Sequence, residues 1–311
     1  MVGRRRTRVL ALALVLAATS VLFARVVPDA LASGTASSAN RTVGTQQVLF
    51  RSGTDGYGCF RIPALVTTKA GSLLAFAEAR KSATCADRGD IDLVLRRSTN
   101  NGRTWGPIQV VLAGSETDAG APMTRGNPAP VVDARTGQIF LISTSNEATL
   151  SGKRLPWIQE SDDDGLNWTP AKALGTSFTG SDAGWFATGP SHGIQLQHGA
   201  HAGRLIVGAH QSPAATTVYA GVLYSDNDGA SWQASTSPNS YVTDTMNPGE
   251  VSVAELPDGS VYAEARNQIS GTGNHRAKAV STDGGTTMPA FTAVPSLVTP
   301  DVQGAVLTLY S

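Results

Sequence analysis

Ser161-Asp162-Asp163-Asp164-Gly165-Leu166-Asn167-Trp168 is the stretch on which the fold turns. It reads Ser, one residue, an acid or its amide, one residue, Gly, one residue, a small polar residue, Trp. The pattern returns as Ser98-Thr99-Asn100-Asn101-Gly102-Arg103-Thr104-Trp105 and as Ser225-Asp226-Asn227-Asp228-Gly229-Ala230-Ser231-Trp232. A fourth copy, Ser281-Thr282-Asp283-Gly284-Gly285-Thr286-Thr287-Met288, has Met in place of Trp. The starts lie 63, 64 and 56 residues apart. Self-similarity at such a period means one supersecondary unit used several times. Each copy reads as a hairpin turn: Asx and Ser side chains fold the backbone, Gly supplies a positive φ, and Trp plugs between neighbouring units.

Between the turns, alternation replaces helical periodicity. Asp90-Ile91-Asp92-Leu93-Val94-Leu95-Arg96-Arg97 places Ile91, Leu93 and Leu95 on one face, and Ser260–Arg266 does the same with Val261, Ala263 and Ala265. Gly137–Ile142 and Gly203–Gly208 are short apolar strands bounded by Gly. With 33 Gly and 16 Pro as punctuation, the chain reads as all-β. Radial four-stranded blades suit such a repeat.

The repeat resembles the Asp-box of the sialidase β-propellers. The second copy keeps Ser, Asp, Gly and Trp in register, the first and third carry Asn at the Asp position, and Trp105, Trp168 and Trp232 are the structural plugs. The box is structural, so it implies the fold, a six-bladed propeller, and not the reaction.

Residues 1–32 stand apart as a signal peptide. Arg4, Arg5, Arg6 and Arg8 lead an apolar run from Val9 to Phe23, and Ala30-Leu31-Ala32 is a small-x-small cleavage site. The run is short for a stable span; an uncleaved anchor is the other reading. Residues 33–43 are a Ser/Thr/Gly/Ala-rich linker, and 44–311 form the propeller domain. The formal charge of zero divides unevenly: 1–32 hold five Arg and one Asp, leaving 19 basic and 23 acidic residues in the remainder. No basic run survives there, which argues against a nucleic-acid partner. The protein is expected to be secreted. The five His show no metal-ligand spacing, and the acid clusters at 162–164 and 226–228 lack the twelfth-position acid of a calcium loop, so no metal or cofactor is called for.

Phe60-Arg61-Ile62-Pro63 matches the sialidase signature that precedes the first box. Taken alone, Arg61 reads as a surface arginine; the resemblance makes it one of three arginines gripping a sialic acid carboxylate. Pro63 allows no ladder donor and implies a strand edge or a first turn. In Cys85-Ala86-Asp87-Arg88-Gly89-Asp90-Ile91-Asp92 the family places its general acid/base on a loop about nine residues before the Arg-Arg of the first box; Asp87 is nine before Arg96, with Asp90 as the alternative. Glu250, just after Pro248-Gly249, matches the Glu that activates a nucleophilic tyrosine, and Arg266, sixteen residues on, matches the second arginine. Asn127 falls in a loop that lines the pocket near the N-acetyl group in relatives. Gly189–Leu196 also looks like a family segment, with a structural role. Cys59 and Cys85 flank two of these segments and are expected to pair; two separate buried thiols are the alternative.

The resemblance also implies a third arginine and a tyrosine. Pro300–Leu307 resembles the stretch before that arginine, and Tyr310 follows it too closely to be the nucleophile. At about 60 residues per repeat six blades need roughly 360 residues, whereas 279 follow residue 32, so the expectation is an incomplete propeller of four to five blades. The implied activity is retaining exo-sialidase hydrolysis of terminal sialic acids on glycoproteins, glycolipids or oligosaccharides. A binding propeller without turnover and a trans-sialidase are the alternatives.

Overall fold

The computed structural model describes residues 46–114, 123–147, 153–236, 240–243, 245–269 and 275–309. The expected signal peptide and linker, and Tyr310, lie outside the described residues. Among those described, every regular element is a strand.

Four antiparallel meanders follow one another. The first is β1 (Cys59–Thr67), β2 (Leu73–Arg80), β3 (Ile91–Ser98) and β4 (Gln109–Leu112). The second is β5 (Met123–Val132), β6 (Ile139–Glu147), β7 (Leu155–Ser161) and β8 (Lys172–Ala173). The third has an interrupted inner strand, β9 (Trp185–Thr188) and β10 (Ile194–Gln195), then β11 (Leu205–Ala214) and β12 (Thr217–Ser225), then an interrupted outer strand, β13 (Gln233–Ala234) and β14 (Tyr241–Val242). The fourth is β15 (Pro248–Glu255), β16 (Val261–Asn267), β17 (His275–Ser281) and β18 (Thr292–Val298). Blades one and two are joined by a single parallel pair, Ile91 with Thr124. Each blade packs its inner strands on the next. The fold is the all-β propeller expected, with four blades among the described residues.

Each repeat is the turn after the third strand of its blade. The Ser Oγ accepts from the Gly N–H: Gly102 to Ser98 at 2.9 Å, Gly165 to Ser161 at 3.0 Å, Gly229 to Ser225 at 2.9 Å and Gly285 to Ser281 at 2.9 Å. The acid or amide oxygen accepts a second N–H: Thr104 to Asn100, Asn167 to Asp163, Ser231 to Asn227 and Thr287 to Asp283, all at 2.8–3.0 Å. Only an acceptor is required, which is why Asn serves in two copies. Two successive left-handed residues close the turn: Asp164 at φ 65° and Gly165 at φ 80° in the second copy. A Cβ on Gly165 would meet Leu74 Cδ1 at 2.9 Å, so the turn sits directly on blade one.

The core lies between blades. Leu74, Phe76, Leu93 and Leu95 of blade one pack with Ile139 and Leu141 of blade two. Phe140 and Ile142 pack with Phe186, Leu205, Val207 and Leu223 of blade three, and Val222 and Ile206 with Val251, Val261 and Ala263 of blade four. The plugs follow the same order: Trp168 stands edge-on to Phe76 (5.8 Å), Trp232 edge-on to Phe140 (6.0 Å), and Met288 is fully buried against blade three. Trp105 is half-buried, as is Trp168, but among the described residues no blade precedes its own for it to pack on. The β3 alternation is also only half right. Ile91, Leu93 and Leu95 are buried, but so are Asp92 and Val94, since Tyr57, Ala77 and Ala79 cover the second face.

Candidate active site

Three inner strands carry the same irregularity at the same place. In β1 the register shifts between Arg61 and Ala64, in β5 between Gly126 and Ala129, and in β15 between Gly249 and Val251. Each shift admits one extra residue, and each bulge holds a non-glycine residue in the left-handed region: Ile62 at φ 56°, Asn127 at 53° and Glu250 at 46°. Such backbone costs on the order of 1–3 kcal/mol per residue and is held only where its surroundings over-determine it. A bulge also bends the strand and re-aims the neighbouring side chain. In blade three the corresponding stretch is broken at Gly189–Pro190, a cis peptide.

The bulges open onto one cleft of about 890 Å³, lined by Arg61, Asp87, Asn127, Glu250 and Arg266 together with Glu78, Arg80, Arg154, Trp185, His210 and Asp301. Five side chains singled out from sequence, spread over more than half the chain, thus meet in one place. Asp87 lines the cleft; Asp90 does not, and Asp92 is buried behind it, accepting from Tyr57 Oη at 2.6 Å. A larger, mainly apolar cavity of about 1080 Å³ shares Phe60 and Arg61 but has no carboxylate in its lining. Of the two, only the smaller cleft holds carboxylates, the groups that acid–base chemistry would need.

At one side of the cleft, Arg61 Nη1 lies 3.9 Å from Asp87 Oδ1. Arg80 grips the same carboxylate oxygen with Nη1 at 2.6 Å while Nε and Nη2 hold Glu78 at 3.1 and 2.6 Å. Burial disfavours the Arg80 charge, yet Glu78 and Asp87 outweigh it and raise its pKa. The Cys59–Cys85 disulfide, Cα atoms 5.4 Å apart, ties the Asp87 loop to the start of β1. At the other side, Arg266 Nη1 donates to Glu250 Oε2 at 3.0 Å and Nε donates to Asp301 Oδ1 at 2.6 Å. Burial again opposes the charge, and the bonds to Asp301 and Glu250 raise the Arg266 pKa despite it. Asn127 donates its N–H to Glu78 Oε1 at 3.0 Å and its carbonyl accepts from Thr188 Oγ1 at 2.8 Å.

Arg154 comes from the blades between. Its guanidinium carbon sits 4.6 Å from the Trp185 ring centroid, and Nε and Nη2 are buried with no hydrogen-bond partner. Burial lowers its pKa to about 10, so it remains a cation at neutral pH. A buried cation with free donors is costly unless an acceptor arrives.

Sequence reasoning missed Glu78, Arg80, Arg154, His210 and Asp301. A signal existed for two of them: Glu78 and Arg80 alternate with Ala77 and Ala79, which puts opposite charges on one face of an apolar strand. Arg154 carries no pattern of its own. Among the described residues no cluster of three or more His, Cys, Asp or Glu could hold a metal ion.

Bladed turns of this kind, with bulged inner strands that bring Arg61, Asn127 and Glu250 to one cleft, define an Asp-box β-propeller. Residues 71–309 match the BNR repeat-like domain. The chain is 33% identical, over 99% of its length, to a sialidase of Micromonospora viridifaciens, of which it covers 47%. It is 31% identical, over 82% of its length, to an exo-alpha-sialidase of Arthroderma benhamiae, of which it covers 62%. The structure superposes on the Hadza microbial sialidase Hz136 with a TM-score of 0.66 and 26% identity, over 79% of this chain and 48% of that one. The chain belongs to the BNR-repeat sialidase family. It spans about half the length of the Micromonospora relative.

Proposed function

We propose that the cleft binds a terminal sialic acid and supports retaining hydrolysis of its glycosidic bond. The observation that carries this is the convergence of Arg61, Asp87, Glu250 and Arg266 in one cleft. Arg61 and Arg266 hold the sugar's carboxylate, for which planar guanidinium forks are suited. Asp87, the most exposed of the four and fixed from behind by Arg80, reaches the leaving oxygen and protonates it. A carboxylate nucleophile would be repelled by the carboxylate on the anomeric carbon. A neutral tyrosine avoids that repulsion, and Glu250 is placed to take its proton. That tyrosine and the third arginine of the family's triad complete the reading; no tyrosine is among the described residues lining the cleft, whereas Arg80 and Arg154 line it beside Arg61 and Arg266.

The substrates proposed are sialylated glycoproteins, glycolipids or oligosaccharides. Residues 1–32 are proposed to direct export, so that the protein acts outside the cell; N-terminal sequencing of the exported form should begin after Ala32.

Release of fluorophore from an aryl sialoside tests the reaction. Asp87→Asn and Glu250→Gln should each lower kcat by about 100-fold or more, and Arg61→Ala should act mainly through KM. Undiminished turnover in both carboxylate variants would refute the assignment. Binding of sialic acid without product would instead select the second reading, a propeller that binds without turnover, which the lack of a tyrosine in the described lining favours.

A further inference from the structure

The extra residue of a bulge is left out of the strand ladder, so its N–H needs another acceptor. Two blades solve this in the same way. In blade two the Asn127 N–H is taken by Glu78, from the second strand of blade one. In blade four the Glu250 N–H is taken by Nδ1 of His210, from the second strand of blade three, at 3.2 Å. His210 therefore stands to Glu250 as Glu78 stands to Asn127. Its neighbours on β9 and β12 are Ala187 and Ala220, which carry no charge. The charged groups facing it are Arg154, Arg266 and Glu250.

We propose that His210 is a positioning residue: by accepting the Glu250 N–H it holds the bulge that presents the Glu250 carboxylate to Arg266 and the cleft. The proposal rests on the reading of Glu250 as the base of the site. Acceptance requires an unprotonated Nδ1, hence the Nε2–H tautomer. Burial, reinforced by the charges of Arg154 and Arg266, favours that neutral ring by lowering its pKa to about 4. Once protonated, Nδ1 would face the Glu250 N–H as a second donor, and the left-handed turn would lose its fastening.

Two nearly isosteric replacements separate positioning from packing. Asn at 210 puts an amide oxygen close to where Nδ1 sits; Gln has the same polarity but places its oxygen near the Nε2 position. Both variants and the wild-type full chain are assayed on an aryl sialoside from pH 3.5 to 8. His210→Asn should keep kcat within about fivefold of wild type and show no acid limb from the imidazole. His210→Gln should lose about 30-fold or more in kcat with KM changed less than about threefold. Equal kcat in the two variants, or a loss confined to KM, overturns the proposal. If the wild type shows no turnover, the sialidase reading fails by itself, and the 15N spectrum of the wild-type imidazole decides. An unprotonated Nδ1 coupled across the hydrogen bond to the Glu250 amide supports the proposal, and an Nδ1–H tautomer overturns it.

Discussion

Arg80 Nη1 lies 2.6 Å from Asp87 Oδ1, yet the Arg80 side chain is 3% exposed and that of Asp87 78%. A buried cation thus presents a solvent-facing carboxylate to the cleft, and its other edge is spent on Glu78. Replacing Arg80 with Met removes the partner of a buried carboxylate, and uncompensated buried charges of this kind cost about 3–5 kcal/mol. Arg80→Met should lose stability in that range by urea denaturation, whereas Asp87→Asn should lose less than about 1 kcal/mol. Comparable losses in the two would mean that Glu78 and Asp87 share the burden equally.

The disulfide acts on the same loop. Cys59 and Cys85 are 26 residues apart, and releasing a loop of that size costs about 3.5 kcal/mol by the chain-entropy relation. Cys59→Ala/Cys85→Ala should unfold at correspondingly lower denaturant. Hydrogen exchange should quicken at residues 81–89 before it does in β11. Unchanged exchange in that loop would show that Arg80 alone fixes it.

Asp301 already occupies Arg266. The contact is partly exposed, so its worth is about 1 kcal/mol or less. An incoming carboxylate must share or displace it. Asp301→Asn should therefore tighten the binding of free sialic acid by up to about fivefold, measured by titration calorimetry at low salt. Weaker binding in the variant would make Asp301 a partner of the ligand and not its competitor.

His210 gives stability a defined pH dependence. In the unfolded chain its imidazole titrates near pH 6.5; in the fold, burial takes it to about 4. Between those values the unfolded state binds a proton that the folded state refuses. The contribution is complete above about pH 6.5 and falls away as pH drops toward 4, with a slope of about 1.4 kcal/mol per pH unit. Wild type should lose about 2–3 kcal/mol more than His210→Asn between pH 7 and 4.5, as read from urea midpoints. Parallel curves for the two proteins would show that His210 is accessible to protons in the fold.

The fold was legible because the box is local chemistry: one Ser oxygen, one Asp or Asn oxygen and one Gly each meet a stated need within eight residues. The inner-strand residues were legible through short motifs that resemble the family's, such as Phe60-Arg61-Ile62-Pro63 and Pro248-Gly249-Glu250. What they did not show was the bulge, since a left-handed Ile62 or Glu250 runs against local preference, and Glu250 is held by His210, distant in sequence. The supporting layer was hidden for the same reason. Arg154 gains meaning only when Trp185 and Glu78 come beside it, and Asp301 only when it folds back onto Arg266.

The central claim is that Arg61 and Arg266 form a carboxylate grip, and titration of the chain with free sialic acid and with its methyl ester tests it most directly. Free sialic acid should bind, the neutral ester should bind at least about tenfold more weakly, and Arg61→Ala or Arg266→Ala should each weaken the acid by about tenfold while leaving the ester unaffected. Equal affinity for acid and ester, or binding indifferent to both arginines, would contradict the account.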